Sequence, residues 1–167
     1  STFGADLGHS RVYATVSHQH IYGLLFRVLW PLAYQRAFCQ FTIEYLEQLF
    51  HNDVAICCLI SSPTHLTRLP EVNGQQSQVT LVFSSGGPLP NSASRQANNV
   101  FHADVVEVFG STETGGIGWR RQHCGETAWT LFDVVQAKIN EQQCLVVKSP
   151  YLANDDWFTT TDLVAVE

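Results

Sequence analysis

The chain has 167 residues, enough for one ordinary domain or one and a half small ones. A hydrophobic fraction of 45% suits a packed core, and a formal net charge of −6 with one basic pair, Arg120-Arg121, argues against a nucleic-acid binder, which usually shows a basic stripe. No apolar run reaches bilayer-spanning length, since the longest candidate, residues 21–33, is interrupted by Arg27 and Pro31.

"RVYATVS" reads as a buried strand ending near Val16, followed by the loop "SHQHIYG". "IYGLLFRVLWPL" reads as a helix stopped by Pro31. "QRAFCQFTIEYLEQLF" reads as a second helix, with Phe38, Phe41, Tyr45, Leu46 and Leu49 at helical spacing on one core face. "DVAICCLI" is a short apolar run fit for a strand covered on both faces, and its Cys57 and Cys58 read as small core residues. "SSPTHLTRL" starts a short helix with Ser62 as N-cap and Pro63 at the first position. "QVTLVFSSGGP" is strand then loop, "PNSASRQANNVF" a weak helix, and "DVVEVFGSTETGG" strand and loop again.

Residues 1–120 therefore alternate β and α, as a mainly parallel sheet with flanking helices does. The rhythm changes after Gly118. "TAWTLFDVVQAKINEQQCLVVKS" reads as a hairpin around Asn140-Glu141, and "WFTTTDLVAVE" as a further strand. The expectation is an α/β part over residues 1–120 and an incomplete β-rich part over residues 121–167. The five cysteines, Cys39, Cys57, Cys58, Cys124 and Cys144, lack paired CxxC spacing, which disfavours a disulfide frame or zinc knuckle and fits a reducing cytoplasm. The start at Ser1 and the lack of any methionine read as a piece of a larger protein.

In open parallel sheets, ligands bind outside the carboxyl ends of the strands. Four loops here follow expected strands, at residues 17–20, 61–64, 84–87 and 110–116, and all are rich in small or hydroxyl residues. The last one, "FGSTETGGIG", looks like a phosphate loop yet matches neither GxxxxGK[ST] nor GxGxxG. It offers backbone N–H groups and the hydroxyls of Ser111, Thr112 and Thr114. Glu113 repels a bare phosphate but becomes useful when Mg²⁺ lies between them. On the residues alone, a solvated turn with a surface glutamate carries more weight than a phosphate site.

Four ordered stretches shift that balance. "FGSTETGG" resembles the YGxTE signature of the adenylate-forming (AMP-binding) superfamily, which includes acyl-CoA synthetases and aryl-CoA ligases. "SHQHIYGLL" is similar to its P-x-F-H-x-x-G-L segment, "SSGGPLP" to its S-G-G/A-x-P-L loop, and "WFTTTDLV" to its W-Y-x-T-G-D-L strand. The resemblance implies an ATP-dependent ligase. A carboxylic acid, fatty or aromatic, attacks the α-phosphate to give an acyl-adenylate and pyrophosphate. A thiol, from CoA or the phosphopantetheine of an acyl carrier protein, then takes the acyl group.

Carried over by position, the resemblance implies that Thr112 contacts phosphate within the Gly110-Ser111 loop and that Glu113 holds Mg²⁺. Gly86, Gly87 and Pro88 would line the adenine of ATP or AMP with Phe109 stacked nearby, Asp162 would bind the ribose, and His20 would sit beside the substrate carboxylate. Tyr22, Gly116 and Ile117 are candidates for the acyl pocket.

The family's T-S-G-S-T-G-x-P-K loop and its lysine-bearing C-terminal domain have no counterpart in these residues, so the isolated chain is expected not to catalyse adenylation. Thr161 stands where the family usually has glycine, Glu107 where many members have asparagine, and Gln142-Gln143 where Gly-Glu is usual. A non-catalytic nucleotide- or acyl-binding module derived from the family is the alternative reading.

Overall fold

Runs of β-branched and apolar residues pair into sheets because both faces of each run can be covered. A computed structural model of the chain describes residues 3, 10–50, 56–71, 77–122 and 128–165. In it β1 (Arg11–Ala14), β2 (Cys57–Ser61), β3 (Val79–Ser84) and β4 (Asp104–Ser111) lie side by side and parallel. β5 (Gly115–Arg121) and β6 (Thr130–Leu131) continue the sheet antiparallel, giving the order β1-β2-β3-β4-β5-β6. A second, antiparallel sheet holds β7 (Gln136–Ile139), β8 (Cys144–Lys148) and β9 (Phe158–Leu163). The class is the expected one: α/β, with a mainly parallel sheet, few helices and a small β-rich addition.

Successive strand residues point to opposite faces, and the two main core clusters follow that alternation. Cys57, Leu59, Val82 and Val105 pack on one side with Leu66, Ala93, Ala97 and Phe101. Cys58, Ile60, Leu81, Phe83 and Val106 pack on the other with Tyr22, Phe26 and Trp30. All five residues of β2 are buried, as an apolar run covered on both faces requires. The weak helix forms over Asn91–Phe101 and stops at His102, whose φ of 53° is left-handed. The Asn140 turn also forms: its Oδ1 accepts from the N–H groups of Gln142 (3.0 Å) and Cys144 (2.9 Å).

Two helix expectations fail. The first helix does not stop at Pro31. α1 (Ile21–Gly23), a π-helical stretch (Leu24–Leu29) and α2 (Trp30–Ala33) run on as one rod. The wider π turn just before Pro31 accommodates a residue that cannot donate, a common place for such a turn. The rod ends instead in a Schellman motif. Gln35 is left-handed at φ 54°, its N–H reaches the Leu32 oxygen at 3.1 Å, and the Arg36 N–H reaches the Pro31 oxygen at 2.8 Å.

The second expected helix, from Gln35 to Phe50, is mostly extended or irregular. Tertiary hydrogen bonds override its helical spacing. Val12 donates to the Ala37 oxygen at 3.0 Å, Cys39 donates to the Val12 oxygen at 2.8 Å, and Ile43 donates to the Ala14 oxygen at 2.8 Å. Buried Arg27 holds the same segment, donating to the Gln40 oxygen and the Thr42 hydroxyl, both at 2.8 Å, and to the Val16 oxygen at 2.9 Å. Phe41 and Tyr45, read as core, are 69% and 66% exposed. Phe38 is partly buried, and Leu46 and Leu49 reach the core from a 3₁₀ turn (Leu46–Phe50). His51, His123 and Cys124 lie outside the described residues.

Candidate functional site

Because β1 to β4 are parallel, the loops that follow them emerge at one edge of the sheet. His20 caps the start of α1 there and is exposed. Gly23 lets α1 approach the preceding loop: a Cβ on it would lie 2.0 Å from the Ser17 carbonyl oxygen.

A cleft of about 1140 Å³ opens between the strand ends of the large sheet and the small sheet. Gly86, Gly87 and Pro88 form one wall of it, Phe109 and Gly110 a second, and Asp162 belongs to a third. Six residues singled out in sequence, drawn from three separate stretches, thus share one cavity. Ser111, Thr112, Glu113 and His20 are not among its lining residues. The first three sit just beyond Gly110, on the turn between β4 and β5.

That turn is braced from within. Thr114 is 1% exposed; its hydroxyl accepts from the Ser111 N–H at 3.1 Å and donates to the Gly115 oxygen at 3.0 Å. The Thr114 N–H donates to the Ser111 hydroxyl at 3.2 Å. Thr114 therefore serves the turn and is not offered as a phosphate hydroxyl, while Thr112 and Glu113 are exposed at the tip. Hydrogen bonds from the Ser111 side chain and from the Glu113 backbone hold the Glu113 carboxyl below its ordinary value, so it is ionised at neutral pH. An exposed carboxylate beside hydroxyls is a hard-oxygen donor set of the kind Mg²⁺ takes together with substrate phosphates. Among the described residues, no three His, Cys, Asp or Glu side chains gather as a metal cage.

Three cleft features escaped the sequence reading. Trp129 lines the cavity, its ring 5.3 Å from that of Phe109, and the Arg120 guanidinium covers its other neighbourhood at 4.3 Å from the ring centroid. Lys138 also lines the cavity, with its ammonium 4.1 Å from the centre of the Trp157 ring. Glu107, noted in sequence only as a departure, is 2% exposed and lies under the 86–88 loop. These contacts join residues far apart in sequence, and no local pattern announces them. Of the acyl-pocket candidates, Ile117 lines the cleft, Gly116 faces Phe132, and Tyr22 packs against Phe26 at 5.2 Å.

The profile of a family described as AMP-binding enzyme matches residues 2–148. A 4-coumarate–CoA ligase of Cereibacter sphaeroides is 26% identical over 112 residues, covering 67% of this chain and 27% of that protein. Among solved structures, a benzoate CoA ligase from Burkholderia xenovorans LB400 superposes with a TM-score of 0.72 at 15% identity, over 86% of this chain and 34% of that one. An O-succinylbenzoate coenzyme A synthetase from Bacillus subtilis, in complex with ATP and magnesium ion, gives 0.72 at 18% identity, over 93% and 36%. Identities this low establish a shared fold, and the chain spans about a third of the length of these proteins.

Proposed function

The chain belongs to the AMP-binding enzyme family, and we propose that it forms the nucleotide-facing part of an ATP-dependent ligase joining a carboxylic acid to a thiol. The observation that carries this reading is the meeting of Gly86-Gly87-Pro88, Phe109-Gly110 and Asp162 around one cleft, with the Ser111–Glu113 turn at its rim. The apolar wall and the Phe109 and Trp129 rings suit a planar base. Asp162 suits ribose hydroxyls, as an acceptor-only group when ionised. Thr112 and the turn's backbone offer donors to phosphate oxygens.

Glu113 would hold Mg²⁺ at the rim, where the ion would neutralise charge on the phosphate oxygens. His20, on the neighbouring loop, is assigned to the acid's carboxylate. Thr112 and His20 would orient the reactants, and orientation together with charge stabilisation accounts for most of what this class of transfer requires. The acid is fatty or aromatic, the acceptor CoA or a carrier-protein phosphopantetheine, and the setting the cytoplasm. Among the described residues, no helix is long and apolar enough to cross a membrane. The 167-residue chain alone is proposed to lack adenylation activity: its two lysines, Lys138 and Lys148, are engaged over the Trp157 ring and beside Asp155 (3.1 Å).

Photolabelling with 8-azido-ATP and peptide mapping tests the site without needing the acid. Labels within residues 85–89, 109–110, 128–131 or 162–165 support it. Labelling confined to other surfaces contradicts it.

A further inference from the structure

The backbone of Leu89, the residue after the Gly86-Gly87-Pro88 wall, is gripped at both of its polar groups. Its N–H donates to Glu107 Oε1 at 2.9 Å, and its carbonyl accepts from Gln122 Nε2 at 2.8 Å. The other Glu107 oxygen accepts from Arg120 Nε at 2.6 Å and from Gln122 Nε2. Gln122 is fixed in turn by Asn91, whose Nδ2 donates to its Oε1 at 3.2 Å. Glu107 and Gln122 are 2% and 8% exposed, so water does not compete for these bonds.

Three donors therefore converge on one side chain: the Leu89 N–H, the Arg120 Nε–H and a Gln122 amide hydrogen. Only an acceptor-only group satisfies all three, and an ionised carboxylate is one; an amide of the same shape always turns a donor toward a donor. The same Arg120 covers Trp129, which leans on Phe109. Through Leu89 on one side and Arg120 on the other, Glu107 touches the supports of two parts of the cleft lining, the Gly86–Pro88 loop and the Phe109–Trp129 pair.

We propose that Glu107 is a positioning residue for the nucleotide: it touches no ligand, but sets the gap between the Gly86–Pro88 wall and the Phe109–Trp129 wall. This rests on reading the cleft as an adenine site. The departure noted in the sequence, a glutamate where many members of the resembled family have asparagine, is thereby given a task in this chain.

The test is isothermal titration of AMP into the protein and into Glu107→Gln, with thermal melting of both. The isosteric change is expected to weaken AMP binding by about tenfold or more, the scale of one charge-assisted hydrogen bond lost in a buried site, in protein still folded at the assay temperature. Gln122→Met frees the Leu89 carbonyl, one Glu107 bond and the Asn91 amide but leaves the Leu89 N–H and Arg120 bonds to Glu107 in place, and it carries the test if Glu107→Gln does not fold; a loss of about threefold to tenfold is expected. Lowered melting temperatures with unchanged AMP affinity would make the clamp merely structural and overturn the proposal. If the unsubstituted protein binds no AMP, the adenine reading of the cleft itself fails, and the positioning role with it.

Discussion

A Cβ placed on Gly110 would lie 2.2 Å from the carbonyl oxygen of Gly115. The two ends of the β4–β5 turn approach so closely that only a residue without a side chain fits. The obstacle is backbone, so no rotamer change relieves it. Gly110→Ala is expected to destabilise the fold by about 1–3 kcal/mol, the usual range for forced overpacking. It should also displace the Ser111–Glu113 tip. Urea unfolding measures the first effect; a loss of nucleotide affinity larger than the loss of folded fraction measures the second.

Glu113 lies at that tip. Glu113→Gln keeps the shape but removes the charge a hard cation prefers. In the ligase, adenylation should slow by a large factor and respond less to added Mg²⁺, while the melting temperature stays unchanged because the group is fully exposed. An unchanged rate across a Mg²⁺ series would remove Glu113 from the mechanism.

The pH dependence follows from the same carboxylate. Its folded pKa is depressed, first by the Ser111 side chain and then by its own backbone, so protons would displace a Mg²⁺ ion held there only below the ordinary value of 4.5. Any folding stability linked to it is likewise present above the unfolded pKa and lost as pH falls through the folded one. Ser111→Ala removes the larger cause and should move the acid limb of the Mg²⁺ response upward in pH. An acid limb that does not move contradicts this.

How much of this was readable beforehand depends on the range of the interaction. β2 and β3 are legible because a short apolar run between turn signals has few alternatives. The cleft loops were legible because parallel strands place their carboxyl ends together. The segment around Phe41 and Tyr45 departs from its helical spacing because hydrogen bonds with Val12, Ala14 and Arg27 win, none of them local. Pro31 was given too much weight, since a π turn absorbs its missing donor. Trp129 carries no local signal and Glu107 only that of a departure, because the role of each resides in partners distant along the chain.

Arg27 makes that tertiary override testable. It is 3% exposed and its guanidinium satisfies two carbonyls and a hydroxyl. Arg27→Met keeps much of the packing but leaves those acceptors without their donor, and should cost about 2–4 kcal/mol. The midpoint of urea unfolding reads this out; a shift equivalent to under half a kcal/mol, the scale of ordinary surface changes, would mean that the 37–43 segment holds itself in place.

Cys57 offers a check on the sheet interior. It is fully buried, and burial pushes its thiol from 9.0 up to about 12. A folded pKa raised above the unfolded one makes the folded state lose stability as pH rises from 9.0 toward 12. A disulfide reagent at pH 8 should spare Cys57 in the native protein and modify it in urea, as peptide mapping would reveal. Rapid native labelling of Cys57 would contradict the packing of β2.

An acid-activating ligase exchanges pyrophosphate into ATP only when its acid is present. The protein is presented with ATP, Mg²⁺, labelled pyrophosphate and a panel of aromatic and fatty acids, in its full-length form and alongside Asp162→Ala. Exchange above the no-acid background is expected with at least one acid, falling by about tenfold or more when the proposed ribose partner is removed. Exchange at background for every acid, in protein that still binds ATP, would contradict the ligase and leave a nucleotide-binding module in its place.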